Sequence, residues 1–336
     1  MATIKDVAKL AGVSISTVSI VLNGTRKLSP ATEEKVHKAI EALQYRPNQY
    51  ARSLVTKHKK VVGVIRIVDE ERDDHSQDLY SSTVDTYLQD MLWNIEEVIR
   101  LHGSSMVLGW YDAMEPEQIP AVLDPGRVDG IVCVGGFVSA QLIAAIKHSG
   151  LAAVLVGARD AAFDYVDADV ERAFQLSASS MIERGHRRLL LLNGPGNSQS
   201  SQRREAGFLQ AVAQAGAEGR TCNCQFSGKP AEEVCLGMIP SFKPDAIIAG
   251  ADSMAIGALN AMRKLHLSCP EDISVMGYED GLLAQYSVPP LSTVRIHKGR
   301  IGTVGAKLLF ERIANPSAPP IQKIVEPELL FRGSTD

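Results

Sequence analysis

The sequence predicts a small all-α domain at the N-terminus, followed by an α/β body of two doubly wound parallel-sheet lobes. Capping residues and apolar spacing mark three short helices within the first 45 residues. From Val61 onward, short continuous apolar runs alternate with amphipathic segments of helical length, which is the pattern of parallel strands and their crossover helices. A chain of 336 residues is also longer than one hydrophobic core usually supports, so we expect several domains.

Charge separates the two parts of the chain. Residues 1–60 hold eleven Lys and Arg against four Asp and Glu, a net charge of +7, whereas the remainder carries −11. A basic head on an acidic body indicates a polyanionic partner for the head alone.

The composition is that of a globular protein. Hydrophobic residues make up 45% of the chain and charged residues 22%, which argues against a disordered chain. The sequence shows neither an apolar run of membrane length nor a signal peptide, so we expect a cytoplasmic protein with no membrane partner. The five cysteines are scattered and lack zinc-ligand spacing, so we expect reduced thiols and neither a metal nor a cofactor.

The first two helices are defined by their ends. Thr3 and Asp6 have the spacing of a capping box, which opens a helix that runs through residue 11 before Gly12 breaks it. Ser14 is a natural N-cap for a second helix over residues 15–22. Two short helices joined by a three- to four-residue turn with a glycine form a helix-turn-helix unit, whose second helix enters the major groove of DNA.

A third helix completes the core of the head. It begins at Ser29 with Pro30 in its first turn and runs towards Leu43. Helical spacing in the second helix turns Val18, Val21 and Leu22 towards this core. The residues on the opposite side, where bases would lie, are Ile15, Ser16, Ser19 and Ile20. The alternative is a three-helix bundle that binds no DNA, and the segment that follows argues against it.

That segment, residues 45–54, is too short to form a stable helix alone, although Pro47 suits a first helical turn. It leads into the basic linker Lys57-His58-Lys59-Lys60. We therefore expect a helix-turn-helix domain over residues 1–46, and a hinge helix with its linker over residues 47–60.

Several motifs of the head resemble those of the LacI-type (lactose-repressor) family. They are Asp6-Val7-Ala8, Ala11-Gly12-Val13-Ser14, Thr17-Val18-Ser19 and Tyr45-Arg46-Pro47-Asn48. The resemblance continues through the body, at Asp129-Gly130-Ile131, Gly185-His186-Arg187-Arg188, Arg204-Glu205-Ala206-Gly207-Phe208 and Pro270-Glu271-Asp272-Ile273-Ser274-Val275. It implies a periplasmic-binding-protein-like body, a homodimer on a pseudo-palindromic DNA operator, and a small-molecule effector in the cleft between the lobes.

The resemblance also implies which residues contact DNA. The matching positions are Thr3, Ser14, Ile15, Ser16, Thr17, Ser19, Ile20, Asn23, Tyr45, Asn48, Ala51, Arg52 and Leu54. Leu54 matches a leucine that wedges into the minor groove, where an apolar side chain unstacks a base step and kinks the duplex. Ile20 departs from the family, since many members carry an arginine there that reads guanine. We hypothesise an operator without that guanine; alternatively, Ile20 packs against the third helix.

Six apolar runs predict the strands of the body: residues 61–65, 130–134, 154–156, 189–192, 246–249 and 273–276. With the crossovers that the resemblance implies, we expect a first lobe of residues 61–158 with 291–318 and a second of residues 163–290 with 321–336. An acidic loop, residues 69–78, connects the first strand of the body to its first helix near the cleft. A solvated loop is the favoured interpretation, and a metal site is the alternative.

Ligands of open α/β sheets bind beyond the carboxyl ends of the strands. By position or by resemblance, the candidates for effector binding are Tyr87, Arg159, Asn193, Ser198, Arg204, Asp252 and Glu279. Arg204 matches the position that clamps hydroxyls or carboxylates, against the alternative of a surface arginine, and Asp252 accepts hydroxyl hydrogens or caps the next helix.

Four sites in the pocket, with five residues in all, depart from the sugar-binding pattern of the family. Gly157-Ala158 stands where the family usually has an Asp-Arg pair, and Val170 and Ala251 stand where asparagines are expected. Glu279 stands in place of a usual aspartate. The lost hydrogen-bonding groups argue against an ordinary hexose. They favour a larger, less polar or acidic molecule, or a pocket that has lost its ligand.

Together these observations predict a sequence-specific transcriptional regulator, of the repressor type, controlled by an effector that is a sugar or a sugar derivative if the family pattern holds. It would lie at the nucleoid when bound to DNA. The rival interpretation is the solute-binding protein of a transporter, which would need a signal peptide and no helix-turn-helix. An enzyme is not expected, because the sequence contains no P-loop, nucleophile-elbow or dinucleotide-binding motif.

Overall fold

The computed structural model describes residues 2–23, 26–45, 59–68, 83–112, 115, 117–136 and 138–335. The chain divides into two units, a head of residues 1–59 and a body of residues 60–336. The acidic loop at residues 69–78 and most of the expected hinge segment, residues 46–58, lie outside the described residues.

The head contains the three expected helices, α1 (Ile4–Ala11), α2 (Ile15–Asn23) and α3 (Pro30–Ala42). Their caps are those that the sequence predicted. Thr3 and Asp6 form a reciprocal capping box, and the Ser29 hydroxyl accepts a hydrogen bond from the Thr32 N–H. Gly12 ends α1 with φ 66°, a left-handed conformation that costs glycine little. Val7, Val18 and Val36 are fully buried and bring the three helices around one small core.

The body alternates strands and helices. In chain order its elements are β1 (Val61–Val68), α4 (Thr83–Leu101), β2 (Ser105–Asp112), β3 (Gly130–Val134), α5 (Ala140–Ser149), β4 (Ala152–Val156), β5 (Asp164–Ala168), α6 (Val170–Glu183), β6 (Arg188–Asn193), α7 (Gln199–Ala215), β7 (Glu218–Asn223), α8 (Gly228–Phe242), β8 (Ala246–Ala249), α9 (Asp252–Lys264), β9 (Ser274–Tyr278), α10 (Leu282–Tyr286), β10 (Ser292–Arg295), α11 (Lys298–Ala314), β11 (Gln322–Val325) and β12 (Glu328–Leu330).

These strands form two six-stranded sheets, ordered β11-β5-β4-β3-β1-β2 and β12-β10-β9-β8-β6-β7. All neighbours are parallel except β10 and β12. The inner strands β3 and β8 are buried along their whole length, because helices cover both faces of each sheet. The two doubly wound lobes are therefore confirmed.

The lobe boundaries need correction. The expected first lobe of residues 61–158 with 291–318 omits β5 and β11, which pair in the first sheet, and it includes β10, which belongs to the second. The expected second lobe of residues 163–290 with 321–336 wrongly includes β5 and β11 and leaves out β10. The chain crosses between the lobes near residues 169, 296–297 and 326–327.

The first boundary was misplaced, with β5 assigned to the wrong lobe, because this strand contains acidic residues. Asp164 and Asp167 are both buried in this strand, which hydropathy does not reveal. Arg312 on α11 forms a bidentate ion pair with Asp164, at 2.7 and 2.8 Å, so burial of the carboxylate is compensated.

No helix among the described residues has the length and apolar character needed to span a bilayer.

Candidate functional site

In the head, α2 presents a mixed surface to solvent. Ile15 is 45% exposed and Ser16 is exposed, whereas Val18 is fully buried on the opposite side. The Ser14 hydroxyl lies 2.7 Å from the Ser16 hydroxyl and 2.8 Å from the Thr17 hydroxyl, and it accepts a hydrogen bond from the Thr17 N–H. The start of α2 therefore carries a cluster of hydroxyl groups beside an exposed isoleucine.

Ile20 is half-buried. The half-buried side chains that pack against the head core include Val21, Leu22 and Ile40, and among the described residues Ile20 is not one of them. Ile20 is therefore partly accessible at the surface of the head, and its contact with a base stays a prediction.

The remaining predicted DNA contacts have different positions. Thr3 is exposed, and its hydroxyl donates to the Asp6 carboxylate at 2.7 Å. Tyr45 packs against the head core, and its N–H donates to the Ile40 carbonyl. Asn23 ends α2, and its side chain is outside the described residues, as are the whole of Asn48, Ala51, Arg52 and Leu54.

In the body, a pocket of about 90 Å³ lies between the lobes at the carboxyl ends of strands from both sheets. The first lobe contributes residues at the ends of β1, β3, β4 and β5, and the second contributes residues after β6, β7, β8 and β9. They include Ile67, Gly135, Gly157 and Asp167 from the first lobe and Ser198, Phe226, Ala251 and Glu279 from the second. This is the position at which open α/β sheets bind ligands.

Arg204 on α7 is the central cation of this pocket. It is only 7% exposed, and its guanidinium carbon lies 4.8, 5.1 and 5.6 Å from the ring centres of Phe226, Tyr278 and Phe174. Its Nη1 donates to the Ser200 hydroxyl at 2.9 Å. Aromatic faces stabilise a desolvated guanidinium, so this side chain is held rigidly in the cleft.

Asp167 links the two lobes. Its Oδ2 accepts hydrogen bonds from Arg159 Nε at 2.8 Å, within the first lobe, and from Arg203 Nη1 at 2.6 Å, on α7 of the second lobe. The aspartate side chain is 3% exposed. A single buried carboxylate therefore bridges two arginines across the cleft.

Two further acids lie at the second-lobe wall. Burial, reinforced by Asp252, raises the pKa of Glu279 to about 8, while Lys298 and Arg204 act in the opposite direction. Burial also raises the pKa of Asp252 to about 6, although hydrogen bonds from the Thr293 hydroxyl and the Gly281 N–H oppose the shift. At neutral pH Glu279 is therefore mostly protonated.

Of the predicted effector residues, Ser198, Arg204 and Glu279 line the pocket, and Arg159 lies behind it, bound to Asp167. Asn193 is buried, and its amide donates to the Ser201 carbonyl and accepts from the Gly194 N–H. It and Asp252 are outside the pocket lining and hold neighbouring loops in place. Tyr87 lies on α4, and its side chain is outside the described residues.

Sequence reasoning missed Asp167, Phe226 and Tyr278. It did locate the pocket wall through departures from the family pattern, because Gly157, Val170, Ala251 and Glu279 all line it. The first three offer no hydrogen-bonding side chain to a ligand.

Comparison with known proteins identifies the chain. Residues 3–48 match the family described as bacterial regulatory proteins, lacI family, and residues 178–335 match a periplasmic binding protein-like domain. The HTH-type transcriptional repressor PurR of Escherichia coli O1:K1 is 31% identical over 346 residues, covering 99% of this chain and 97% of that protein. The chain belongs to the lacI family. PurR of Klebsiella pneumoniae is 32% identical over a segment of the same coverage.

Solved structures agree with this assignment of the regulator. The complex of the transcriptional regulator CelR with cellobiose is 27% identical, with a TM-score of 0.70, and the match covers 99% of this chain and 100% of that one. The lac repressor dimer bound to operator and the anti-inducer ONPF shares the fold, with a TM-score of 0.85, 23% identity and 99% coverage of both chains. The regulator is thus a DNA-binding transcription factor with a helix-turn-helix head and an effector-binding body, and the transporter alternative is excluded.

Proposed function

We propose that this lacI-family regulator is a cytoplasmic repressor without enzymatic activity. It binds a pseudo-palindromic operator as a homodimer, and a small molecule in the inter-lobe cleft sets its operator affinity. The observation that carries the proposal is Arg204, a nearly buried cation at the centre of a pocket that both lobes line. A ligand there contacts both lobes at once, so it binds one lobe arrangement better than another and shifts the equilibrium between them.

The exposed surface of α2 supports the DNA-binding part of the proposal. We assign base contacts to Ile15, Ser16 and Ile20, and phosphate or cap contacts to the hydroxyls around Ser14. Ile20 has no donor for guanine but suits the methyl group of thymine. The hinge residues Asn48, Ala51 and Arg52 keep the DNA contacts that the family resemblance implies, and Leu54 keeps its role as the minor-groove wedge.

An apolar patch on the second lobe supports the dimer. Tyr286 is 81% exposed at the end of α10, and Leu282 and Val288 beside it are also exposed. Large apolar side chains grouped on a surface mark sites of association. A second copy of the chain is the occupant that we propose, since the lac repressor neighbour is a dimer on its operator.

A sugar or sugar derivative is the effector class that we propose, because the related CelR is solved with cellobiose. The proposal is tested by selecting binding sites from random duplexes with the full-length protein. We expect an inverted repeat, bound with an affinity that falls steeply as salt rises, and no binding by a variant that lacks residues 2–59. Recovery of no common sequence, or equal binding by the truncated variant, would contradict it.

A further inference from the structure

The cleft carries more positive than negative charge. Three guanidinium groups, those of Arg159, Arg203 and Arg204, meet in or directly behind the pocket, and Asp167 is the carboxylate that pairs with the first two. Glu279 also lines the pocket, but burial raises its pKa to about 8, so it adds little negative charge at neutral pH. Asp252, whose pKa is raised only to about 6, is a second negative charge near this wall, and it is held by hydrogen bonds from the Thr293 hydroxyl and the Gly281 N–H. Three guanidinium groups against the carboxylates of Asp167 and Asp252 leave a net positive charge. The site as a whole therefore attracts an anion.

Two guanidinium donors in this region lack acceptors. Arg204 Nε and Arg203 Nη2 are buried and have no hydrogen-bond partner among the described residues. Arg204 lines the pocket and is more than nine-tenths buried, so its Nε cannot be satisfied by bulk water. Buried charged donors are costly to leave unpaired, and an anionic oxygen is the acceptor that pairs with a guanidinium most strongly.

The rest of the pocket offers little to a neutral sugar. Beside Arg204, Leu88, Val170, Ala251 and the ring of Phe226 form apolar walls. Of the polar side chains that also line the pocket, Asp167 already accepts hydrogen bonds from two arginines, and the Ser198 and Ser200 hydroxyls hydrogen-bond each other at 3.0 Å. Selective binding of a neutral hexose depends on several such groups, each placed to meet one hydroxyl. Recognition here instead concentrates on one strongly basic position.

We propose that the effector is a small organic anion whose carboxylate or phosphate group accepts hydrogen bonds from Arg204, with Arg203 beside it. This inference rests on the proposed placement of the effector in the cleft. It restricts sugar effectors to their acidic derivatives and adds other small organic acids as candidates.

The test compares neutral sugars with their acidic counterparts. The melting temperature of the full-length protein is measured at pH 7 and constant ionic strength with glucose, glucuronate and glucose 6-phosphate, with ribose and ribose 5-phosphate, and with citrate. We expect at least one anion to raise the melting temperature by several degrees while its neutral parent gives no shift. The carboxylate and phosphate arms show which anionic group the site prefers.

Variants locate the effect. R204M keeps most of the side-chain volume of the arginine. R203Q, at a more exposed side chain, replaces it if R204M does not fold. Either variant is expected to weaken binding of the anion at least tenfold. R263M is the matched control, because Arg263 is an exposed arginine at the far end of α9 whose Nη2 donates to Asn260. The inference is overturned if a neutral sugar stabilises the protein as much as its acid does, or if no anion gives a shift that depends on Arg204 or Arg203. Selection of an inverted repeat would leave the proposed regulatory function standing in either case.

Discussion

Replacement of Asp167 by asparagine tests the charge bridge across the cleft. The aspartate accepts hydrogen bonds from Arg159 at 2.8 Å and from Arg203 at 2.6 Å. Breaking a fully buried ion pair from one side costs about 3–5 kcal/mol. The cost here is smaller, because both arginines are partly exposed, Arg159 keeps a bond to the Ala168 carbonyl, and asparagine still offers one oxygen. We expect a loss of about 2 kcal/mol in the free energy of unfolding.

At roughly 2–4 °C per kcal/mol for a unit of this size, D167N lowers the melting temperature by about 4–8 °C. Thermal unfolding of the full-length protein, followed by circular dichroism at pH 7, measures the change. E218Q is the control, because Glu218 pairs with Arg188 at an exposed position on β7, and such a pair contributes less than about 1 kcal/mol. Equal melting temperatures for D167N and E218Q would refute the reasoning.

Four further predictions concern other parts of the chain. Glu279 has a pKa of about 8 in the folded protein, well above that of an unfolded glutamate, so the free energy of unfolding falls as pH rises from about 5 to 8. In urea titrations across this range, E279Q makes that fall less steep. An unchanged pH dependence in E279Q would oppose the raised pKa of Glu279. A methyl group on Gly207 would lie 2.0 Å from a backbone carbonyl of α6, so G207A loses about 1–3 kcal/mol in a urea titration, whereas G237A, with open space in α8, loses nothing. In binding-site selection, I20R acquires a requirement for guanine that the wild type lacks, and identical selected sites would count against base contact at this position. Y286D weakens self-association in sedimentation velocity, and an unaltered dimer would exclude this face from the interface.

The head was predictable from local chemistry. A hydroxyl at Thr3, Ser14 or Ser29 caps the helix that follows it, and these interactions lie within three residues of one another in the chain. Helical spacing then separated the buried Val18 from the exposed Ile15 without any long-range information.

The body was predictable only in its inner strands. β3 and β8 are buried on both faces and appear as continuous apolar runs. The edge strands β2 and β7 consist mostly of exposed and half-buried residues. β7 carries no apolar run, and the run Met106-Val107-Leu108 in β2 was not interpreted as a strand.

The pocket residues that sequence reasoning missed lie outside the apolar runs from which the strands were predicted. Phe226 comes after the edge strand β7, and Tyr278 ends β9 beyond the apolar run that predicted it. Asp167 lies inside β5, where an acid argues against a buried strand unless its partner is known. That partner, Arg203, is 36 residues away in the chain, and only the tertiary structure brings the two together.

In this regulator the state of the cleft is proposed to set operator affinity. This coupling is tested most directly by measuring operator dissociation constants for full-length wild type, D167N and E218Q without effector, by fluorescence anisotropy at one salt concentration. Loosening the bridge between Asp167 and Arg203 shifts the balance of lobe arrangements, so D167N should change the dissociation constant about fivefold or more, while E218Q matches the wild type. Equal operator affinity for all three proteins would show that the cleft and the operator are not coupled.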